Sequence, residues 1–162
     1  MEFQIIPKKE TNLSYAKETL AVKSIEYCFT CQHFDEQQID SARIDDVLNK
    51  VREGEEEICL FAGPDEESDR MEIMSNGTWL SLTCCFDLDK YYFCYNEAFA
   101  ETAALLDEAD FFDETVYTGL ESGGQSPIPK IQAITDLEAG IQAVEYFIYT
   151  GQLYPGIDWI TE

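Results

Sequence analysis

The sequence predicts one α+β domain: an antiparallel sheet of about five to seven strands with helices packed on one side, one of them C-terminal. Three observations predict it. Short runs of β-forming residues follow one another between residues 57 and 96, separated by turn signals. Two stretches with apolar residues at helical spacing, 40–52 and 134–150, flank those runs. Hydrophobic content is 45% and aromatic content 13% over 162 residues, enough for one core that buries roughly 70% of the unfolded chain's surface. No internal repeat and no linker divides residues 1–162, so a single domain is expected.

Taken in order, residues 1–20 read as a loosely ordered lead-in with a short strand at 3–6. Residues 21–30 (A-V-K-S-I-E-Y-C-F-T) are rich in β formers and read as one strand. In D-S-A-R-I-D-D-V-L-N-K-V-R, residues 40–52, Ile44, Val47, Leu48 and Val51 form a helical stripe, which Gly54 ends. Strands are expected at 57–62, 70–75, 78–86 and 91–96, with turns at Gly63-Pro64, Asn76-Gly77 and 87–90. Asn76-Gly77 is the strongest of these, a hairpin signal of the type I′ kind. Alternation puts Leu80, Leu82 and Cys84 on one face, and Trp79, Ser81, Thr83 and Cys85 on the other. A helix is expected over 98–106, a strand over 111–118, a flexible loop over 121–126 and a final short strand over 130–133.

The last helix is the best specified. Thr135 and Glu138 read as a capping box, and Asp136 places negative charge in the first turn. Leu137, Ile141, Val144 and Ile148, widened by Ala143 and Phe147, make the apolar stripe that covers the sheet. Gly140 weakens the interior by about 1 kcal/mol relative to Ala, which marks close packing against a strand. Gly151 is the expected left-handed stop, with Pro155 beyond it. This stretch, A-I-T-D-L-E-A-G-I-Q-A-V-E-Y-F-I-Y-T-G-Q-L-Y-P-G-I-D-W, resembles the C-terminal signature of Imm1-type immunity proteins. The matching residues are Pro129, Ala143, Phe147, Thr150, Gly151, Pro155 and Trp159, within roughly the last 35 residues. The resemblance implies a bacterial protein that neutralises a cognate toxin of a polymorphic toxin system, many of which are nucleic-acid deaminases.

Charge bears on the partner. With 10 basic and 33 acidic residues the formal net charge is -23. Direct binding to nucleic acid or to anionic membrane draws its affinity from Lys and Arg, so both are disfavoured. A basic protein partner is favoured, because complementary fields speed encounter and select partners. Two acidic runs have no intervening base. The first is Glu53, Glu55, Glu56, Glu57, Asp65, Glu66, Glu67 and Asp69; the second is Glu97, Glu101, Asp107, Glu108, Asp110, Asp113, Glu114 and Glu121. Such runs are often only solvated faces. The functional reading is that the two converge on one negative surface, with Glu66, Glu67, Asp69, Asp107, Glu108, Asp110, Asp113 and Glu114 contacting the partner and Phe111 and Phe112 as anchors. That surface would plug the basic cleft of a nucleic-acid-acting toxin.

Enzyme signatures are sparse. No G-x-S-x-G, P-loop or G-x-G-x-x-G motif occurs, and the H-x-E with P-C-x-x-C pattern of zinc deaminases is missing. Six cysteines include C-F-T-C at Cys28 and Cys31, close to the one histidine, His33. In a straight strand Cys28 and Cys31 point to opposite faces, as do Cys84 and Cys85, so reduced thiols serving as small hydrophobes are expected, with no metal or cofactor. The competing readings are a small cytosolic enzyme working through carboxylates or Cys28/Cys31, and a general acidic nucleic-acid mimic. The N-terminus lacks the basic start and long apolar region of a signal peptide, so a cytoplasmic location is expected.

Overall fold

A computed structural model describes residues 3–9, 15–65, 67–122 and 126–162. Ten strands and two α-helices follow one another as β1 (Gln4–Ile6), β2 (Ser24–Tyr27), β3 (Gln32–Asp35), α1 (Ser41–Glu53), β4 (Ile58–Phe61), β5 (Arg70–Ser75), β6 (Leu80–Phe86), β7 (Lys90–Cys94), β8 (Tyr117–Ser122), β9 (Ser126–Pro129), α2 (Leu137–Thr150) and β10 (Trp159–Thr161). Eight strands form one sheet in the order β1-β10-β7-β6-β5-β4-β2-β3, and β8 and β9 form a separate hairpin. Every pairing is antiparallel. The fold class is α+β as the sequence predicts, with more strands in the main sheet than the five to seven expected.

The extra strands come from two places. Residues 21–30 are not one strand. β2 stops at Tyr27, the chain turns through Cys31 at φ 53°, and β3 runs back beside β2. A carboxylate inside the fold holds that turn: Glu56, 2% exposed, accepts from Phe29 N at 2.5 Å, Thr30 Oγ1 at 2.9 Å and Glu57 N at 3.1 Å. At the other edge, β10 inserts between β1 and β7, so the short strand expected at 3–6 joins the sheet as β1 through a partner strand the sequence does not announce. Residues 1, 2 and 10–14 lie outside the described residues.

Register fixes the two faces of the sheet. Ile25, Ile58, Leu60, Met71, Ile73, Leu80, Leu82, Cys84, Cys94 and Trp159 project to one face and are at most 1% exposed. α1 and α2 both pack there, through Ile44, Val47 and Val51 and through Ile141, Val144, Phe147 and Ile148. Phe147 and Ile148 are fully buried, as the stripe predicts. A Cβ on Gly140 would lie 2.1 Å from Leu80 Cδ2, so the close helix–strand approach is real. Gly151 ends α2 at φ 67° and Gly54 ends α1 at φ 74°. A side chain on Gly54 would also strike the Asn76–Gly77 backbone at 2.4 Å.

Several local expectations need correction. Asp136, not Thr135, caps α2: its Oδ1 accepts from Ala139 N at 3.1 Å, while Glu138 faces outward to Arg52 Nε at 3.4 Å. The aspartate is one residue nearer the first turn and does the same chemistry. The hairpin at Asn76-Gly77 forms, but its turn spans four residues, with Ser75 opposite Leu80 and only Gly77 at positive φ. Consecutive positive φ values occur instead at Asp87 (52°) and Leu88 (71°), between β6 and β7. Residues 98–106 are 3-10 helical, over Glu97–Leu105, with a break at Phe99. Residues 130–133 are not a strand but a short 3-10 turn, Lys130–Gln132. Glu121, Ser122 and Ser126 belong to strands rather than a loop, and 123–125 lie outside the described residues.

The second face of the sheet is covered over part of its area. The 3-10 segment buries Phe99, Ala103 and Leu106 against Tyr95, Ile131 and Ile160, and the β8–β9 hairpin sets Leu120 and Ile128 on Met74 and Trp79. Glu26, Cys59, Arg70 and Glu72 on that face line an open cleft.

Candidate functional site: an acidic cleft with exposed aromatic walls

The segment before β8 is a chain of tight turns rather than the strand expected over 111–118. Aspartates build it. Asp110 Oδ1 accepts from Phe112 N at 2.9 Å, and Asp113 Oδ1 accepts from Thr115 N at 2.9 Å and Thr115 Oγ1 at 2.6 Å. These side chains imitate backbone turns, which is why Asp recurs at turn starts. The two Thr115 bonds also hold the Asp113 carboxyl below its ordinary range. Asp113 O closes the turn by accepting from Val116 N at 3.1 Å and Tyr117 N at 2.9 Å.

On this turn Phe111 and Phe112 are both left exposed. Phe111 meets the edge of Tyr117 at 5.5 Å yet remains 64% exposed, and Phe112 is 90% exposed. They are the two most exposed large apolar side chains among the described residues. Opposite them stands the β8–β9 hairpin. Its register shifts between Tyr117 and Glu121, and Gly119 sits at φ 86° with open space where a side chain would be. Thr118 Oγ1 fastens the bulge by donating to Ile128 O at 2.9 Å and accepting from Leu120 N at 3.0 Å.

Between turn and hairpin lies a cleft of about 320 Å³, walled by Phe111, Phe112, Tyr117, Leu120 and Pro127, with Asp113, Glu114 and Glu121 at its margin. On the other flank of the hairpin a smaller cleft of about 230 Å³ opens over the sheet, against Glu72, Thr83, Tyr91 and Phe93. Pro127 lines both, so the hairpin is a ridge between two hollows on the side away from α1 and α2.

Arg70 lies over Tyr91 in the second hollow, and Lys130 stands beside the cleft. Lys130 Nζ lies 5.5 Å from the Trp79 ring centre and 5.4 Å from that of Phe99, and donates to Glu114 O. Its charge is held on the scaffold there and also helps to lower the Asp113 carboxyl. Among the described residues no salt bridge reaches Asp107, Glu108, Asp110, Asp113, Glu114 or Glu121.

The first acidic run does not join this site. Glu56 and Glu57 are buried at 2% and 8% exposure. Glu67 and Asp69 lie in the β4–β5 turn, where Asp69 Oδ1 accepts from Asp87 N at 3.0 Å; Glu66 lies outside the described residues. That turn is at one end of β5, whereas Trp79, Phe99 and the Lys130 contact to Glu114 are at the other. Arg70–Ser75 spans the distance between those two ends, on the order of 20 Å, and the second hollow, lined by Glu72, Tyr91 and Pro127, lies between them. Of the surface expected from the sequence, Glu56 and Glu57 are withdrawn into the fold.

The cysteines divide by environment. Cys84, Cys85 and Cys94 are buried, and burial pushes the Cys94 thiol up to about 12. Cys28 and Cys31 are exposed in the β2–β3 turn, not packed within a strand. The Cys28 sulfur lies 4.0 Å from that of Cys59 on β4. Burial raises the Cys28 thiol, and the charge of Glu57 raises it further; burial raises Cys59 as well. A thiol raised in this way has little of the thiolate that nucleophilic or redox chemistry needs. His33, exposed on β3, pairs across the ladder with Glu26.

The residues of the C-terminal signature do structural work and none lines the cleft. Ala143 and Phe147 are core, Gly151 is the helix stop, and Thr150 Oγ1 donates to Tyr146 O at 2.6 Å. Pro155 O accepts from Lys9 N at 2.8 Å, and Trp159, 1% exposed, donates Nε1–H to Tyr154 O at 2.7 Å. Among the described residues no group of three or more His, Cys, Asp or Glu is placed to hold a metal ion, and no helix is long and apolar enough to cross a membrane. Compared with protein-family models, curated proteins and solved structures, the chain has no match in any of the three.

Proposed function

We propose that this chain is an immunity protein: it binds a cognate bacterial toxin and blocks the active site of that toxin with an acidic surface. The toxin is a basic, nucleic-acid-acting protein, with a deaminase as the first candidate by the resemblance of the C-terminal helix. The observation that carries the binding role is the pair Phe111 and Phe112, exposed on aspartate-built turns among carboxylates that have no salt bridge among the described residues. Exposed aromatic side chains at the mouth of a cleft are what a protein interface uses as anchors, and surrounding charge selects the partner. A toxin that grips nucleic acid must present basic groups where phosphates lie, and a surface with net charge -23 behind it is attracted to them. The raised thiol of Cys28 weighs against its use as the nucleophile of the rival Cys28/Cys31 enzyme.

Capture tests the proposal. If the gene immediately upstream encodes a secreted toxin, its immobilised C-terminal domain should retain this protein, and co-expression should restore growth to cells making that domain. A domain that neither binds nor is neutralised would sink the immunity reading and leave a general acidic, nucleic-acid-mimicking binding module in its place.

A further inference from the structure

The cleft between the 110–114 turn and the β8–β9 hairpin has the walls of a side-chain socket. Its volume of about 320 Å³ is at the low end of ligand clefts. Its apolar walls are aromatic on one side, through Phe111 and Phe112. Its margin carries Glu114 and Glu121, neither of which has an ion-pair partner among the described residues, because the nearby Lys130 is held by Trp79, Phe99 and the Glu114 backbone. An aromatic face attracts a cation, and this chain already satisfies its own cations that way: Arg43 lies 3.7 Å from the Phe34 ring centre, and Lys130 covers two rings.

We infer that this cleft receives an arginine side chain of the partner, its guanidinium laid on the Phe112 ring and paired with the carboxylates of Glu114 and Glu121. The inference rests on the binding role proposed above and names what occupies it. Arginine fits better than lysine on two counts. The planar guanidinium stacks on an aromatic ring while donating in its own plane to carboxylates, and it is more weakly hydrated than an ammonium group, so it enters a half-apolar cleft at lower cost. The rest of the partner would extend over Pro127 toward the second hollow, where Tyr91 and Phe93 are stacked at 6.5 Å.

The test uses the full chain and three probes at matched ionic strength: N-acetyl-arginine amide, the lysine analogue and the neutral isostere N-acetyl-citrulline amide. Backbone amide resonances are followed by NMR. The arginine probe should shift Phe112, Gly119 and Glu121 and saturate at lower concentration than the lysine probe, and citrulline should leave those resonances in place. Phe112→Ala, at a side chain 90% exposed and so without cost to the fold, should abolish most of the shift. Glu121→Gln should reduce it. Equal shifts from citrulline, tighter saturation by lysine, or an unchanged response in Phe112→Ala would each overturn the assignment. The outcome separates from that of the toxin test. If the upstream toxin is captured but arginine amide shifts nothing, the binding role stands and this occupant is wrong. If arginine amide binds and no toxin is captured, the occupant stands and the immunity reading falls.

Discussion

At the scale of single residues the acids of this chain do two different jobs. Asp110, Asp113 and Asp136 are consumed by the backbone: each accepts from a main-chain N–H two or three residues on and fixes a turn or a helix start. Glu56 does so from inside the fold. Glu114 and Glu121 keep their carboxylates for solvent or a partner. Sequence counts all of these alike, so candidate contacts drawn from it include Asp110 and Asp113 although both are structural. A reversal of charge at either would unmake the turn that presents Phe111 and Phe112. The cysteines carry the first prediction. Because burial and Glu57 raise the Cys28 thiol, its thiolate fraction at pH 7.5 is lower than in an unfolded chain. Iodoacetamide labelling read by peptide mass mapping should therefore be slower at Cys28 in the native protein than in urea. The native rate should climb as pH passes the ordinary thiol value of 9 and deprotonation catches up. Native labelling faster than in urea at pH 7.5 would mean an activated thiol and would restore the cysteine-enzyme reading.

Elements were legible where their pattern is local. The Leu80, Leu82, Cys84 alternation needs only the two-residue period of a strand, and the α2 stripe only the helical period, so both were readable without knowing the fold. Phe147→Ala tests that reading: the ring is fully buried between α2 and the sheet, so its loss should cost about 3–5 kcal/mol in chemical denaturation. A loss under about 1 kcal/mol would mean the helix does not rest on this face as described. Elements were misread where the decisive contact is distant. The β2–β3 turn has no Gly, Pro or Asn; it is held by Glu56, some 27 residues beyond Phe29, and by a left-handed Cys31. β10 is three residues long and becomes a strand only because β1 and β7 lie on either side of it. The 111–118 stretch has β-forming residues, but the hydrogen bonds of Asp110 and Asp113 compete successfully for its backbone. So the anchors Phe111 and Phe112 could be named from sequence, whereas the opposite wall of their cleft could not.

At the scale of the whole molecule the two acidic ends make the binding proposal divisible. The β4–β5 turn leaves the Arg70 end of β5, whereas the cleft is anchored beyond Ser75 through Trp79, Phe99 and Lys130, with the second hollow between them, so a partner seated on the cleft reaches the turn only by crossing that hollow. Charges at the far end act only through the long-range field, which salt screens within about 8 Å at physiological ionic strength. Charges at the cleft act in contact as well. Reversing Glu114 and Glu121 to lysine should therefore slow association with the toxin and speed dissociation, since it removes steering and contact together. Reversing Glu67 and Asp69 should slow association alone, with the dissociation rate unchanged and the slowing lost in high salt. Both carboxylates at the cleft are exposed and hold no turn through their side chains, so the fold should survive the first pair. Asp69 accepts from Asp87 N, so Glu67→Lys alone is the control that keeps that contact intact. Stopped-flow association and surface-captured dissociation, at low and high salt, read the four rates. If dissociation quickens for the β4–β5 pair and not for the cleft pair, the contact surface lies at the other end of the sheet. The aromatic cleft then has no part in neutralisation.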